Sequence, residues 1–237
     1  MKKEIYAKCD EAGDIVINAR LLGDILRRMN APQVVISSNE KLACNIKCGE
    51  ATFDIMGMAA EDFPEMPTVG SDRTLKIDGS LLSEMVKGTF FATAQNEGAK
   101  PILTGINVTV KDSIMQFVAI DGYRLAIKRE NVDISDDFSF ILSGKAVSEA
   151  VKLIDENTED VEMRVGENLI SFNINGYDFI SRLLEGEFVN YQKTIPSEHT
   201  QRVVVNTREL IDTIERVSLL ISESFSTPVR CYFNELN

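Results

Sequence analysis

Residues 17–27 read Ile17-Asn18-Ala19-Arg20-Leu21-Leu22-Gly23-Asp24-Ile25-Leu26-Arg27, and residues 142–152 read Leu142-Ser143-Gly144-Lys145-Ala146-Val147-Ser148-Glu149-Ala150-Val151-Lys152. The second stretch follows the first at a fixed interval. Ile17, Arg20, Leu22, Leu26, Arg27 and the more distant Phe63 return as Leu142, Lys145, Val147, Val151, Lys152 and Phe188, and 145−20, 152−27 and 188−63 each give 125. Apolar positions coincide readily between any two amphipathic helices. Two basic positions, seven apart in both copies, coincide far less readily. Seven residues is about two helical turns, so each basic pair shares one helix face.

A second repeat interleaves with the first. Ile77-Asp78, Leu82, Lys87 and Pro101 return as Val205-Asn206, Leu210, Arg216 and Pro228, where 205−77, 216−87 and 228−101 give 128, 129 and 127. The chain therefore reads as unit B (1–68), unit A (72–131), unit B (137–196) and the start of a second A (201–237). Such a pattern belongs to a repeat architecture. With no A before the first B and a short last A, the expectation is a portion of a longer periodic protein.

Each unit reads as strand, helix, then strands. In the first B, Asp14–Asn18 is strand-like, and Ala19–Asn30 has the apolar period of a helix, with Pro32 just beyond it. Strands are expected at Val34–Ser37, Leu42–Lys47 and Thr52–Met56, divided by Ser38-Asn39 and Gly49-Glu50. The second B repeats the plan with a strand at Ser139–Leu142, a helix at Lys145–Glu156, and strands at Val161–Val165, Leu169–Ile174 and Asp178–Leu184. Its Asn175-Gly176 is a hairpin-turn pair. Unit A has Leu75–Ile77, a longer helix at Ser80–Ala94, then strands at Leu103–Val110, Ile114–Ile120 and Arg124–Arg129. Asp78 and Asn206 are suited to cap the helices that follow them. One A and one B give an α+β domain, two helices backed by antiparallel sheet.

Composition bounds the function. The 237 residues carry 44% hydrophobic and 26% charged residues, the balance of a globular protein with a sizeable core. A net charge of −12 argues against a generic nucleic-acid binder, but not against one whose cations lie on a single surface. No apolar run has membrane-spanning length and Met1-Lys2-Lys3 opens no signal peptide, so a cytoplasmic location is expected. Cys9, Cys44, Cys48 and Cys231, with the lone His199, offer no metal-ligand spacing, so neither a metal nor a cofactor is expected. Acidic Glu61-Asp62 and Asp133–Asp137 are solvated faces; without a phosphate-binding loop or a nucleophile–base arrangement, no catalysis is expected.

Longer motifs bear a resemblance. Lys100-Pro101-Ile102-Leu103-Thr104-Gly105, followed by Ala119-Ile120-Asp121-Gly122-Tyr123-Arg124-Leu125-Ala126, resembles the middle domain of the bacterial sliding-clamp family, the beta subunit of DNA polymerase III. Glu61-Asp62-Phe63-Pro64 is similar to the end of that family's first domain. Ser143-Gly144-Lys145-Ala146 and Gly186-Glu187-Phe188-Val189-Asn190-Tyr191 resemble parts of its second, and Ser222–Cys231 a loop of its third. The resemblance runs through the whole chain in the family's order. It implies the clamp fold, with helices on one face of antiparallel sheets. Residues 1–70 would be the second half of a first domain, 71–197 a complete second domain and 198–237 the first part of a third.

What the resemblance implies for function is a non-catalytic processivity factor that encircles duplex DNA and tethers polymerase III, the clamp loader and repair polymerases through short peptide motifs. Arg20, Arg27, Lys87, Lys100, Lys145, Lys152 and Arg216 would face DNA. Their phosphate contacts would carry no sequence information and would weaken with salt. Leu103, Ile120, Gly122, Tyr123, Arg124, Leu125, Val189, Lys193 and Thr194 would form the partner-peptide pocket. Leu103, Ile120 and Leu125 offer apolar contact, Tyr123 an aromatic wall, and Gly122 a close turn. Val189, Lys193 and Thr194 depart from the family's frequent Pro, Arg and aliphatic residues. The alternative is a non-encircling fragment that binds only peptides. In the complete family protein two copies form a ring. With two half-domains, this chain is instead expected to associate irregularly or by swapping, the B of one copy against the last A of another or of itself.

Overall fold

Four side chains at repeat-equivalent positions open the four helices of the computed structural model, which describes residues 1–70, 73–95, 98–219 and 229–232. Asn18 caps α1 (Ala19–Arg27), accepting from the Leu21 N–H at 2.9 Å. Asp78 caps α2 (Gly79–Phe90), accepting from Leu81 at 2.8 Å. Ser143 caps α3 (Gly144–Ala150), accepting from Ala146 at 3.4 Å. Asn206 caps α4 (Thr207–Ser218), accepting from Glu209 at 3.2 Å. Each cap satisfies an N–H that the first helical turn leaves without a partner. The equivalence is numerical, since 143−18 is 125 and 206−78 is 128, so the repeat read in the sequence is also a structural repeat.

The chain divides into two compact units, Met1–Phe188 and Val189–Asn237. In the first unit, β1 (Lys2–Lys3) precedes α1. It is followed by β2 (Val35–Ser38), β3 (Ala43–Cys48) and β4 (Ala51–Met56), an antiparallel sheet of three. Unit A contributes β5 (Arg73–Asp78), α2, β6 (Gly105–Lys111), β7 (Ile114–Ile120) and β8 (Leu125–Asn131). The second B contributes β9 (Phe138–Ser143), α3, β10 (Asp160–Val165), β11 (Leu169–Ile174) and β12 (Tyr177–Arg182). Asn175 and Gly176 both have positive φ, 51° and 73°, as a two-residue hairpin turn requires.

The units A and B exchange their first strands. β5 of A joins β10 of B in the sheet β1-β12-β11-β10-β5, and β9 of B joins β6 of A in the sheet β8-β7-β6-β9. Both sheets and both helices share one core. Leu82, Met85 and Val86 of α2, with Val147 and Ala150 of α3, are buried in one cluster with Phe117, Ile106, Met163 and Phe172 from the strands. The α+β architecture expected from the resemblance is present here, with both helices against the inner faces of antiparallel sheets. Alternation on β11 makes the point locally, as Ile170, Phe172 and Ile174 are buried while Asn173 is exposed.

Several local expectations differ. The helix expected to reach Asn30 ends at Arg27, and the one expected to reach Ala94 ends at Phe90. Asp14–Asn18 is not a strand and makes only the isolated bridge Val16–Met58. Its counterpart β9 is held by β6, and among the described residues Asp14–Asn18 has no such neighbour. The helix expected to reach Glu156 ends as the tighter turn Val151–Leu153, closed by Asp155, whose side chain accepts from Asn157 and Thr158 at 3.0 Å each. The strand expected from Leu103 begins at Gly105, because Pro101–Thr104 form a 3-10 turn. Among the described residues, no helix is long and apolar enough to cross a membrane.

The second unit contains the 3-10 turn Tyr191–Thr194 and α4. Residue for residue, α4 is the repeat of α2, since 207−79 and 218−90 are both 128. Unlike α2, it has no buried residue.

Candidate functional site

Between β7 and β8 the chain reverses over Asp121-Gly122-Tyr123-Arg124, and the Asp121 carboxylate holds that turn. Oδ1 accepts from the backbone N–H of Tyr123 at 2.9 Å and of Arg124 at 3.0 Å, while Oδ2 accepts from Arg124 Nε at 2.8 Å. The Asp121 N–H donates to the Arg124 carbonyl at 3.3 Å. Gly122 sits at φ +94°, a conformation that side-chain-bearing residues rarely adopt. No atom lies within 4 Å of where a Cβ would stand, so the need for glycine there is backbone geometry, not crowding. The result is a tyrosine projected into solvent, with Tyr123 97% exposed.

Hydrogen bonds from the Tyr123 and Arg124 N–H groups, then the Arg124 guanidinium, hold the Asp121 carboxyl below its ordinary value. A lowered carboxylate contributes order above its ordinary pKa and loses it as pH falls through the lowered value. The turn is therefore insensitive to pH above about 5.

The facing wall comes from the chain after α2. The Leu103 carbonyl accepts from the Ala94 N–H at 2.8 Å, and Gln95 Nε2 donates to Thr93 Oγ1 at 2.7 Å. Between this wall and the turn lies a cavity of about 360 Å3. Leu103, Tyr123 and Arg124 of the expected pocket line it, together with Asp121, Ala94, Gln95, Gly98 and Ala99. Ile120 and Leu125 face each other across the strand ends, Ile120 buried and Leu125 half-buried, and neither lines the cavity. Val189, Lys193 and Thr194 belong to the second compact unit, where all three are exposed. Of Ser222–Cys231, residues 222–228 lie outside the described residues. Asp121 and Gln95 were not among the expected pocket residues. The Asp-Gly dipeptide at the turn was the signal for Asp121, whereas Gln95 carries none in sequence.

The expected DNA-facing residues are all exposed. Arg20 and Arg27 are on α1, Lys87 on α2, Lys145 on α3, Lys152 in the tight turn that extends it, and Arg216 on α4. Lys100 differs in kind, standing before the Pro101–Thr104 turn and not on a helix. Two of these cations already have acidic neighbours, Arg27 with Asp24 at 2.7 Å and Lys152 with Glu149 at 2.6 Å. Exposed pairs of this kind contribute about 0–1 kcal/mol, so a phosphate can displace the carboxylate. Among the described residues, no group of three or more His, Cys, Asp or Glu could hold a metal ion.

With this geometry in place, comparison with known proteins is informative. Residues 76–190 match the model of the DNA polymerase III beta subunit, central domain, and residues 1–67 match that of its N-terminal domain. The beta sliding clamp of Bacillus subtilis (strain 168) is 31% identical over 230 residues, 96% of this chain and 60% of the relative. The crystal structure of a DNA polymerase sliding clamp from Bacillus subtilis superposes with TM-score 0.83 at 30% identity, covering 91% of this chain and 57% of that one. The DNA polymerase III beta subunit of Thermotoga maritima gives TM-score 0.80 at 27% identity, covering 90% and 58%. The chain thus spans about 60% of the length of the curated relative from Bacillus subtilis.

Proposed function

Because the chain belongs to the DNA polymerase III beta-subunit family, the sliding clamps, we propose that it serves as a non-catalytic tether between duplex DNA and DNA polymerase. Partner proteins dock short peptides in the cavity beside the Asp121–Arg124 turn. The observation that carries this reading is the cavity itself, where apolar Leu103 and exposed Tyr123 converge beside a carboxylate-fixed turn. A Leu or Phe of the peptide buried against Leu103 and the Tyr123 ring gains about 2 kcal/mol. The exposed helix cations Arg20, Arg27, Lys87, Lys145, Lys152 and Arg216, with Lys100, face the phosphates. DNA polymerase III, the clamp loader and repair polymerases are the partners, and the cytoplasm is the compartment.

The pocket assignment is tested by isothermal titration of a peptide carrying Gln with a Leu/Phe pair. Leu103→Asp places a charge at the apolar contact and is expected to abolish binding. The variant's far-UV spectrum should be unchanged, since Leu103 is only half-buried. Equal affinity in a folded Leu103→Asp protein would refute the assignment.

A further inference from the structure

A further cavity, of about 410 Å3, shares no lining residue with the one beside the Asp121–Arg124 turn. It lies on the outer face of the sheet β8-β7-β6-β9. Ile106 and Val108 of β6 point into the shared core, so Asn107 between them points the other way, with Ser139 and Ile141 of β9 on the same face. The segment after β12 forms the opposite wall. The Leu183 N–H donates to the Asn168 carbonyl at 3.0 Å, and the Leu184 N–H to the Ile141 carbonyl at 2.9 Å. Leu184 sits in the notch left by Gly105, where a Cβ would come within 2.6 Å of its side chain. Gly186, at φ +119°, then turns the chain between Glu185 and Glu187. The wall is thus fixed by the fold itself.

Three kinds of group meet in this cavity. Phe140, Leu183, Leu184 and Phe188 are apolar. Glu167, Glu185 and Glu187 are exposed carboxylates, and among the described residues none of them is in an ion pair. No Lys, Arg or His lines the cavity, so three like charges surround one hollow and favour a cation within it. The third group is Asn107, a polar side chain only 7% exposed. Its Oδ1 accepts from Ser139 Oγ at 3.5 Å, the outer limit for a hydrogen bond, and its Nδ2 donates to no protein group among the described residues. An amide withdrawn from bulk water with its N–H groups unused is costly unless an acceptor enters the cavity.

The edge of the sheet adds a fourth observation. β9 pairs with β6 on one side, and on the other, among the described residues, only through the Leu142–Leu183 bridge. The Ile141 carbonyl points outward to Leu184, so by the two-residue alternation of an antiparallel strand the Ser139 N–H and carbonyl point outward as well. Exposed edge groups of this kind pair with the backbone of an extended peptide.

We propose that this cavity binds a short extended segment of a partner protein that carries a Lys or Arg between apolar residues. The cationic head lies among Glu167, Glu185 and Glu187, an apolar side chain lies against Leu184 and Phe188, and a carbonyl of the segment accepts from Asn107 Nδ2. A small free amine would use the carboxylates but leave the apolar walls and the strand edge idle. Nucleic acid is excluded by the three carboxylates. The assignment stands on this cavity alone and does not rest on the peptide pocket beside Tyr123 or on DNA contact.

The test is a nuclear magnetic resonance titration of the 15N-labelled full chain at low salt. The probes are the blocked tripeptide Leu-Arg-Leu, its acidic counterpart Leu-Glu-Leu, and putrescine. The basic peptide should shift the Asn107 side-chain amide pair and the backbone signals of Ser139 and Glu185–Phe188, and the shifts should saturate. The acidic peptide should leave them in place, and putrescine should bind at least about tenfold more weakly, since it lacks the apolar contacts. Glu185→Gln combined with Glu187→Gln changes two exposed positions and should weaken the basic peptide about fivefold. Shifts confined to the Asp121–Arg124 turn, shifts that do not saturate, equal binding of the acidic peptide or of putrescine, or undiminished affinity in the double variant would each overturn the proposal.

Discussion

Phe117→Ala is expected to lower the unfolding free energy by about 3–5 kcal/mol. Phe117 lies at the centre of β7, fully buried, opposite Val108 on β6 and Lys128 on β8. Its ring fills the core beneath α2, and close-packed neighbours relax only partly into the space it would leave. Urea unfolding followed by circular dichroism reads the effect as a lower midpoint at an unchanged slope. The contrasting control is Tyr123→Ala two strand-ends away. At 97% exposure Tyr123 should change stability by no more than about 0.5 kcal/mol. Similar losses for the two variants would mean that β7 does not carry the core.

Asp121→Ala is expected to weaken peptide binding at least about tenfold, equivalent to about 1.4 kcal/mol, while leaving the thermal midpoint nearly unchanged. The carboxylate accepts two backbone N–H groups and one guanidinium N–H, so its removal frees Tyr123 and Arg124 together. Binding then carries the entropy of ordering the turn. Asp121→Asn should retain part of the affinity, because an amide oxygen still accepts from the backbone but not with a charge. The pH profile follows from the lowered carboxyl. Wild-type affinity should be flat above about pH 5 and should fall only under acid as Asp121 is protonated. Calorimetry across that range checks both points, and an Asp121→Ala protein that binds like wild type would remove the turn from the site.

Much of this was legible in the sequence, for identifiable reasons. The helices were readable because apolar periodicity and side-chain caps are local signals, and Asp78 and Asn206 act as the caps they were expected to be. Asn175-Gly176 was readable because few residues tolerate two successive positive φ angles. β1 was not, since a two-residue strand of lysines has no periodicity. Its place beside Tyr177 and Asp178 comes from a contact across the chain, with Lys3 over the Tyr177 ring and bonded to the Asn175 carbonyl. The Asp14–Asn18 strand was over-read because strand propensity there is real, whereas a strand exists only where a neighbour pairs with it. In the site, Leu103 and Tyr123 came from motif resemblance. Gln95 and Ala99 were invisible, as loop residues reach a cavity by tertiary placement rather than by spacing. The cations were readable as a seven-residue spacing, and their carboxylate neighbours Asp24 and Glu149 lie three residues away, within reach of the same reading.

The central claim is that the repeated helix cations meet duplex DNA without reading its sequence. Fluorescence anisotropy of a labelled duplex, titrated with the full chain at several salt concentrations, tests it most directly. Affinity should be weak, with dissociation constants of about 1–100 μM at physiological salt, equal for unrelated sequences, and falling linearly on a log–log plot against salt. Lys145→Glu combined with Lys152→Glu should weaken binding at low salt and reduce the slope by about 2. Tight binding that survives high salt, a clear preference for one sequence, or a double variant that binds like wild type would contradict it.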